Sequence, residues 1–229
     1  MKQKIYILHG WADSTEKWEP FVKELEKAGF DPVLLKIPGL TTSLKEVWDV
    51  NDYVEWLKKI VDREQGKVIL LGHSNGGRIN LAFTLKYAEK VTHLILINSA
   101  GIYHNELPIK IKRLIFGIIA KLGSRIKEIK PIRRIFYKLI MERDYEKAGP
   151  VLRKTMINLI NHVLSRELNR INVPTTIVWG KNDSITPLRD GRLMHEKIKN
   201  STLHIIETAR HSPQFTNAKE VVDIILKEI

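Results

Sequence analysis

The feature that most constrains the fold is the stretch Val68–Gly77, which reads Val-Ile-Leu-Leu-Gly-His-Ser-Asn-Gly-Gly. An apolar run ends at Gly72, and a helix-forming segment, Arg78–Tyr87, follows, so the G-x-S-x-G pattern stands in the strand–turn–helix context that a nucleophile elbow requires. The glycines leave room for two backbones to pass closely, and the sharp turn projects the hydroxyl of Ser74 above the sheet at a helix N-terminus. The alternative is a tightly packed glycine turn without chemistry, but the context on both sides of the motif favours a nucleophile.

Apolar runs with strand character alternate with segments of helical periodicity along most of the chain. The predicted strands are Lys4–Leu8, Pro32–Ile37, Val68–Leu71, Thr92–Asn98, Thr175–Trp179 and Thr202–Ile206. The predicted core helices are Lys17–Ala28, Leu44–Arg63, Arg78–Tyr87, Leu188–Ile198 and Ala218–Lys227. This alternation predicts an α/β protein with a mostly parallel sheet of about six strands and helices on both faces.

The segment 103–170 breaks the alternation after the fourth strand. It contains 16 Lys and Arg against 6 Asp and Glu, so it carries most of the formal net charge of +12. Its helical patterns lie at Ile109–Lys121, Pro131–Glu142 and Pro150–Leu168. We therefore expect a core domain formed by residues 1–102 and 171–229, and a strongly basic helical lid formed by residues 103–170. An insertion at this point emerges at the carboxyl ends of the strands, where open α/β sheets build their sites, and can cover Ser74.

Composition narrows the class of protein. A hydrophobic content of 43% with 28% charged residues is ordinary for a soluble globular chain, and 229 residues can bury a substantial core. The chain has no cysteine, which excludes a disulfide framework and a thiolate metal site. No apolar run predicts a membrane-spanning helix, and the first strand begins too early to leave room for a signal peptide. We therefore expect a cytoplasmic protein.

The basic character of the lid segment leaves three interpretations open. The simplest is a solvated helical surface on which Lys and Arg stems cover apolar residues. The second is weak contact with an anionic membrane surface, which attracts basic amphipathic helices. The third is attraction of anionic substrates towards the mouth of the site. Nucleic acid binding is not expected, because no recognised motif accompanies the charge.

Two further polar residues follow later strands at the same rim as Ser74. Asp183 lies in the loop after Thr175–Trp179, and His211 lies in the loop after Thr202–Ile206. A serine hydroxyl is a poor nucleophile at neutral pH and needs an oriented histidine as its base. Taken singly, Asp183 has an ordinary explanation as a helix cap and His211 as a surface residue. Their order and their loop positions, together with the elbow, indicate a catalytic site.

Three motifs carry a resemblance to a known superfamily. They are Gly72-His73-Ser74-Asn75-Gly76-Gly77, Trp179-Gly180-Lys181-Asn182-Asp183 and His211-Ser212-Pro213. Together they resemble the lid-bearing branch of the α/β-hydrolases, over essentially the whole chain. The resemblance implies a triad in which Ser74 attacks a carbonyl carbon, His211 moves the proton and Asp183 orients the imidazole. It also implies an oxyanion hole formed by the backbone N–H groups of Trp11 and Asn75.

The function implied by this resemblance is that of a serine esterase that needs neither a cofactor nor a metal. The abundance of Ile, Leu and Phe in the lid segment favours small-molecule esters with small to medium apolar acyl groups, and we expect a monomer or homodimer. Two alternatives stay open. One is a carbon–carbon bond hydrolase of ring-cleavage products with the same triad, although such enzymes usually follow the histidine with Trp and this chain has Ser212. The other is a non-catalytic binding protein that retains the fold.

Overall fold

The structure is a computed structural model that describes residues 2–11, 14–102 and 148–229. The strands within these ranges are β1 (Lys4–Leu8), β2 (Asp31–Leu34), β3 (Val68–His73), β4 (Val91–Ile97), β5 (Thr175–Gly180) and β6 (Ser201–Ile206). The α-helices are α1 (Glu19–Lys27), α2 (Val50–Val61), α3 (Asn75–Lys86), α4 (Pro150–Asn161), α5 (Leu188–Lys197), α6 (Pro213–Thr216) and α7 (Ala218–Glu228). None of these described helices is long and apolar enough to cross a membrane.

All six strands form one parallel sheet in the order β2-β1-β3-β4-β5-β6. The predicted sheet is therefore confirmed, and the carboxyl ends of its strands meet at one edge. The chain runs outwards from β1 to β2 and then returns across β1 to begin β3. The strand order reverses between β1 and β3, and such a switch point is where open α/β sheets bind their ligands.

Two hydrophobic cores cover the two faces of the sheet, because successive side chains of a strand point to opposite faces. In β1, Tyr6 and Leu8 join the core under α2, α3 and α5, whereas Ile5 and Ile7 join the core under α1 and α7. The central strands are buried on both sides; every residue of β3 is buried. This arrangement confirms helices on both faces and explains why the strands read as continuous apolar runs.

The second helix begins later than predicted. The apolar pattern predicts a helix from Leu44, but α2 starts at Val50 because Asp49 acts as its N-cap. The Asp49 carboxylate accepts the N–H groups of Asn51 at 2.7 Å and Asp52 at 3.2 Å, and Asp52 accepts the N–H of Asp49 at 2.7 Å. This reciprocal capping box ends the preceding loop and satisfies N–H groups that the first turn leaves without partners.

The end of the lid segment is attached to the core. The helix predicted from Pro150 to Leu168 is shorter, because α4 ends at Asn161. Thr155 Oγ1 accepts the N–H of Trp48 at 3.0 Å, and Asn158 Nδ2 donates to the Trp48 carbonyl at 3.2 Å. α4 is thereby fixed to the loop that precedes α2. The helices predicted at Ile109–Lys121 and Pro131–Glu142, and most of the basic residues, lie outside the described residues, so the division into core domain and lid stays a prediction.

Candidate active site

Ser74 occupies a sharp turn between β3 and α3, with φ 51° and ψ −117°. A left-handed backbone is rare for a residue other than glycine and marks a strained, over-determined position. The flanking glycines are needed because backbones touch: a Cβ on Gly76 would lie 2.0 Å from the Leu8 carbonyl oxygen, and one on Gly72 would lie 2.5 Å from Gly77 Cα. The predicted strand–elbow–helix geometry is therefore present around the candidate nucleophile.

The backbone of Ser74 is fastened to the end of the neighbouring strand. Its N–H donates to the Ile97 carbonyl at 3.2 Å, and its carbonyl accepts the N–H of Ala100 at 2.9 Å. Ser74 as a whole is buried. The Asn75 N–H stands at the first position of α3, where a helix offers no internal acceptor and its dipole is positive. The helix start therefore presents a hydrogen-bond donor directly beside the serine.

Asp183 and His211 form a hydrogen-bonded pair across the loops that follow β5 and β6. His211 Nδ1 donates to Asp183 Oδ2 at 2.8 Å, and the Asp183 side chain is fully buried. An ionised carboxylate can only accept, so it holds the imidazole proton on Nδ1. The other ring nitrogen, Nε2, is then left with a lone pair and can act as a base.

The Asp183 carboxylate also accepts hydrogen bonds from its own loop and from the residue that follows β4. Its Oδ2 accepts Asn98 Nδ2 at 2.5 Å and Thr186 Oγ1 at 2.6 Å, while its Oδ1 accepts the N–H groups of Ile185 at 2.7 Å and Thr186 at 3.1 Å. Burial raises the pKa of Asp183, but the interactions with His211, Thr186 and Asn98 favour the charged form more strongly and hold the pKa below its ordinary value. The carboxylate is therefore ionised at neutral pH.

His73 connects the loop that carries His211 to the elbow at Ser74. Its Nε2 donates to the His211 carbonyl at 2.9 Å, and the two rings lie 4.9 Å apart. Because His73 directly precedes Ser74, this contact places His211 against the elbow. Within the described residues, His211 Nε2 makes no hydrogen bond to the Ser74 hydroxyl. Catalytic hydrogen bonds of this kind are often long in a ligand-free enzyme and tighten when substrate binds.

The loop after β1 reaches the same place from the other side. The approach of Gly76 to Leu8 and His9 sets the first turn of α3 against the end of β1. His9 is fully buried, and its Nδ1 donates to the Gly10 carbonyl at 2.8 Å, which fixes the start of the loop. The partly exposed Trp11 follows. Both predicted oxyanion donors therefore belong to backbone segments that begin at this contact.

The structure adds two residues to the site that its sequence motifs do not indicate, Asn98 and Thr186. Asn98, predicted as the last residue of a strand, lies just beyond β4 with φ 42°, and it is fully buried. Thr186 stands three residues after Asp183 and donates to it. Two sequence features are consistent with these positions. Asn98 is an asparagine at the carboxyl end of a buried strand, and Thr186 carries a hydroxyl three residues after the candidate acid.

Comparison with known proteins gives the family. The model of the serine aminopeptidase S33 family matches residues 1–216. The chain belongs to the S33 family. The family match confirms the resemblance to the α/β-hydrolases, and with the curated relatives it shows that the chain is a hydrolase.

This S33-family chain is also similar to curated and solved proteins. It is 28% identical to a 2-hydroxy-6-oxononadienedioate/2-hydroxy-6-oxononatrienedioate hydrolase of Klebsiella pneumoniae, over 98% of this chain and 86% of the relative. Hydrolase 1 of the same description from Pseudomonas putida is 25% identical, over 95% and 84%. A lipase-esterase related protein from Clostridium acetobutylicum superposes with a TM-score of 0.75 at 21% identity, covering 99% of this chain and 94% of that chain. The last likeness shows the fold alone.

Proposed function

We propose that this hydrolase cleaves carboxylic esters of small to medium apolar acyl groups through an acyl-enzyme on Ser74. The observation that carries the proposal is the buried, hydrogen-bonded Asp183–His211 pair beside a strained serine elbow. A nucleophile next to a base that a third group orients is the general arrangement for covalent catalysis. The proposed catalytic residues are Ser74, His211 and Asp183.

The proposed reaction begins with attack of Ser74 Oγ on the ester carbonyl carbon. The serine proton passes to His211 Nε2, and the imidazolium that forms is stabilised by Asp183 across the 2.8 Å hydrogen bond. When the tetrahedral intermediate collapses, the C–O bond to the alcohol breaks and His211 returns the proton to the departing oxygen. A water molecule, deprotonated by the same nitrogen, then hydrolyses the acyl-enzyme and releases the acid.

The proposed oxyanion hole consists of the backbone N–H groups of Asn75 and Trp11. Its support is the contact of α3 with the end of β1, and the free first N–H position of the helix. Donors of this kind bind the oxygen as its negative charge develops, and removal of one typically costs about 10²–10³ in kcat. The helix dipole of α3 adds positive potential at the same place.

A second candidate function is hydrolysis of a carbon–carbon bond, which the names of the two curated relatives favour. The same serine, histidine and aspartate would serve that reaction. Against it stands Ser212, where such enzymes usually carry Trp. Turnover of p-nitrophenyl acetate and butyrate, compared with a dienoic ring-cleavage product, separates the two: the ester proposal expects kcat/KM to be larger for the esters.

Labelling with a fluorophosphonate tests whether Ser74 is an activated nucleophile. We expect the wild-type protein to be labelled on Ser74, and Ser74→Ala to lose labelling and about 10⁵–10⁶ of ester turnover. The control is Ser99→Ala, because Ser99 is another buried serine whose hydroxyl donates only to the Ala100 carbonyl at 2.8 Å. Ser99→Ala should still be labelled. A folded wild-type protein that neither labels nor hydrolyses any ester would reject the proposal and favour a binding protein.

A further inference from the structure

The side chain of Asn98 is fully buried where the loops after β4, β5 and β6 meet. Its Oδ1 accepts the N–H of Gly180 at 3.1 Å, and its Nδ2 donates to Asp183 Oδ2 at 2.5 Å and to the Arg210 carbonyl at 3.3 Å. Because the Gly180 N–H can only donate, it fixes which way round the amide lies. The amide of Asn98 therefore joins Asp183, the end of β5 at Gly180, and Arg210, which precedes His211.

The backbone of Asn98 is held as firmly as its side chain. Its N–H donates to the Val178 carbonyl at 3.0 Å, and its carbonyl oxygen lies 3.1 Å from Thr186 Oγ1, whose single proton goes to Asp183 Oδ2. Its φ of 42° lies in the left-handed region, which asparagine tolerates better than most other residues. The backbone of Asn98 is therefore held by β5, independently of the contacts of its amide group.

The stretch around Asn98 also holds the nucleophile. Ile97 and Ala100, on either side of Asn98, bind the N–H and the carbonyl of Ser74. Within this stretch, Ile97 and Ala100 thus contact Ser74 through the backbone, and Asn98 contacts Asp183 through its side chain. A movement of Asn98 would change the position of the acid relative to the serine.

We propose that Asn98 is a positioning residue that holds the Asp183 carboxylate in line with His211 Nδ1. A carboxylate can rotate, and its Oδ1 is fixed by backbone N–H groups, while Oδ2 has to keep one lone pair aimed at the imidazole. Asn98 and Thr186 take the remaining directions around Oδ2. The inference rests on the proposed function, in which this imidazole is the base. The competing view is that Asn98 only stabilises the fold.

A double-mutant cycle distinguishes positioning from stability. Asn98→Gly removes the amide but keeps the left-handed backbone accessible. We expect kcat of ester hydrolysis to fall by about 10–10²-fold with KM within about twofold, since only the orientation of the base changes. In an Asp183→Ala background the same substitution should cost less than about twofold, because its target is gone. An equal loss in both backgrounds would overturn the inference.

The control for this cycle is Thr175→Val. Thr175 is buried at the opposite end of β5, and its Oγ1 donates to the Val173 carbonyl at 2.8 Å. Its loss affects the fold but not the acid, so any effect on kcat should be the same with and without the Asp183 carboxylate.

Asn98→Asp provides a second variant of nearly unchanged shape. Its carboxyl group would meet Asp183 at the place of the 2.5 Å contact, and two carboxylates so close cannot both be ionised without a large rise in one pKa. With one shared proton the hydrogen bond to Asp183 is retained. We therefore expect activity to be kept at the lower end of the pH range and lost as the shared proton leaves. A pH profile parallel to that of the wild type would contradict the proposal.

A readout that needs no turnover is the titration of the Asp183 carboxyl carbon by ¹³C NMR. In Asn98→Gly the pKa of Asp183 should rise, because a donor to the ionised form is lost, and in Thr175→Val it should stay unchanged. An unchanged pKa in Asn98→Gly would refute the positioning role. A wild-type protein that resists the fluorophosphonate would refute the proposed function instead, and the titration would still decide the role of Asn98.

Discussion

The serine side and the acid–base side of the candidate site are held by different forces. Ser74 is positioned by close backbone packing: its φ is 51°, and a Cβ on the neighbouring Gly76 would lie 2.0 Å from the Leu8 carbonyl oxygen. Asp183 and His211 are positioned by hydrogen bonds between side chains and loops that lie as far as 138 residues apart in the chain. The serine side therefore depends on backbone atoms in close contact, whereas the acid–base side depends on polar contacts of side chains.

The difference predicts how each side fails. Substitutions at the elbow force backbones apart, so they should damage folding and activity together. Substitutions among the polar contacts leave the sheet and its two cores intact, so they should damage chemistry well before folding. The following substitutions test that division, in order of decreasing expected loss.

The largest effect is expected for Asp183→Asn on the rate of ester hydrolysis. The asparagine amide would donate to His211 Nδ1 and leave the imidazole proton on Nε2, the wrong tautomer to take a proton from Ser74. A loss of about 10⁴ in kcat is the magnitude known for such a change in a serine triad. Steady-state kinetics with p-nitrophenyl esters measure it, and circular dichroism checks the fold. A loss below tenfold would mean that Asp183 does not orient the base.

A stability effect of about 2–4 kcal/mol is expected where glycines meet backbone atoms. A Cβ at Gly180 would lie 2.0 Å from the Arg210 carbonyl oxygen, and one at Gly76 equally close to that of Leu8. Gly180→Ala and Gly76→Ala should therefore lower the denaturant midpoint strongly. The matched control is Gly66→Ala, because nothing lies within 4 Å of the added methyl group. Similar midpoints for all three variants would show that the elbow and the rim are not sterically fixed.

The pH dependence of stability isolates the Asp183 contacts. Its pKa is lowered in the folded state, so its contribution to the free energy of unfolding is fully present above the unfolded pKa of about 3.9 and is lost as pH falls through the folded value. Wild type should therefore be more stable than Asp183→Asn at neutral pH, with the gap closing in acid. Urea unfolding across this range measures the gap. A gap that stays constant with pH would contradict the lowered pKa.

The smallest effect concerns strain at the nucleophile. Glycine adopts the φ of Ser74 freely and alanine does not, so Ser74→Gly should unfold with a free energy higher by about 1 kcal/mol than Ser74→Ala, although both lack activity. At Ser201, on the ordinary strand β6, the order should reverse, with glycine less stable than alanine. If the glycine and alanine variants had the same order of stability at both positions, backbone strain at Ser74 would be contradicted.

The fold could be predicted in large part because apolar runs and helical periods alternate with few interruptions. The start of α2 could not be predicted. Trp48 fits the apolar period of the helix, but the capping contacts of Asp49 make the helix begin at Val50. Ser74, Asp183 and His211 stand in recognisable motifs, and the structure places them at one rim; their catalytic roles stay predictions. The role of Asn98 could not be predicted, because its partner Asp183 is 85 residues away and no local sequence pattern indicates such a contact.

The attachment of α4 to the loop before α2 has a consequence for how such chains diversify. The chain leaves the sheet after β4, and α4 then packs against the core: Thr155 binds the backbone of Trp48, and Leu152 lies near Gly39. With both ends tethered, doubling the length of the intervening chain adds only about 0.6 kcal/mol of closure entropy. We therefore expect the fold to tolerate changes in the number of residues between 102 and 148, because the described residues on either side of this stretch are held by the core.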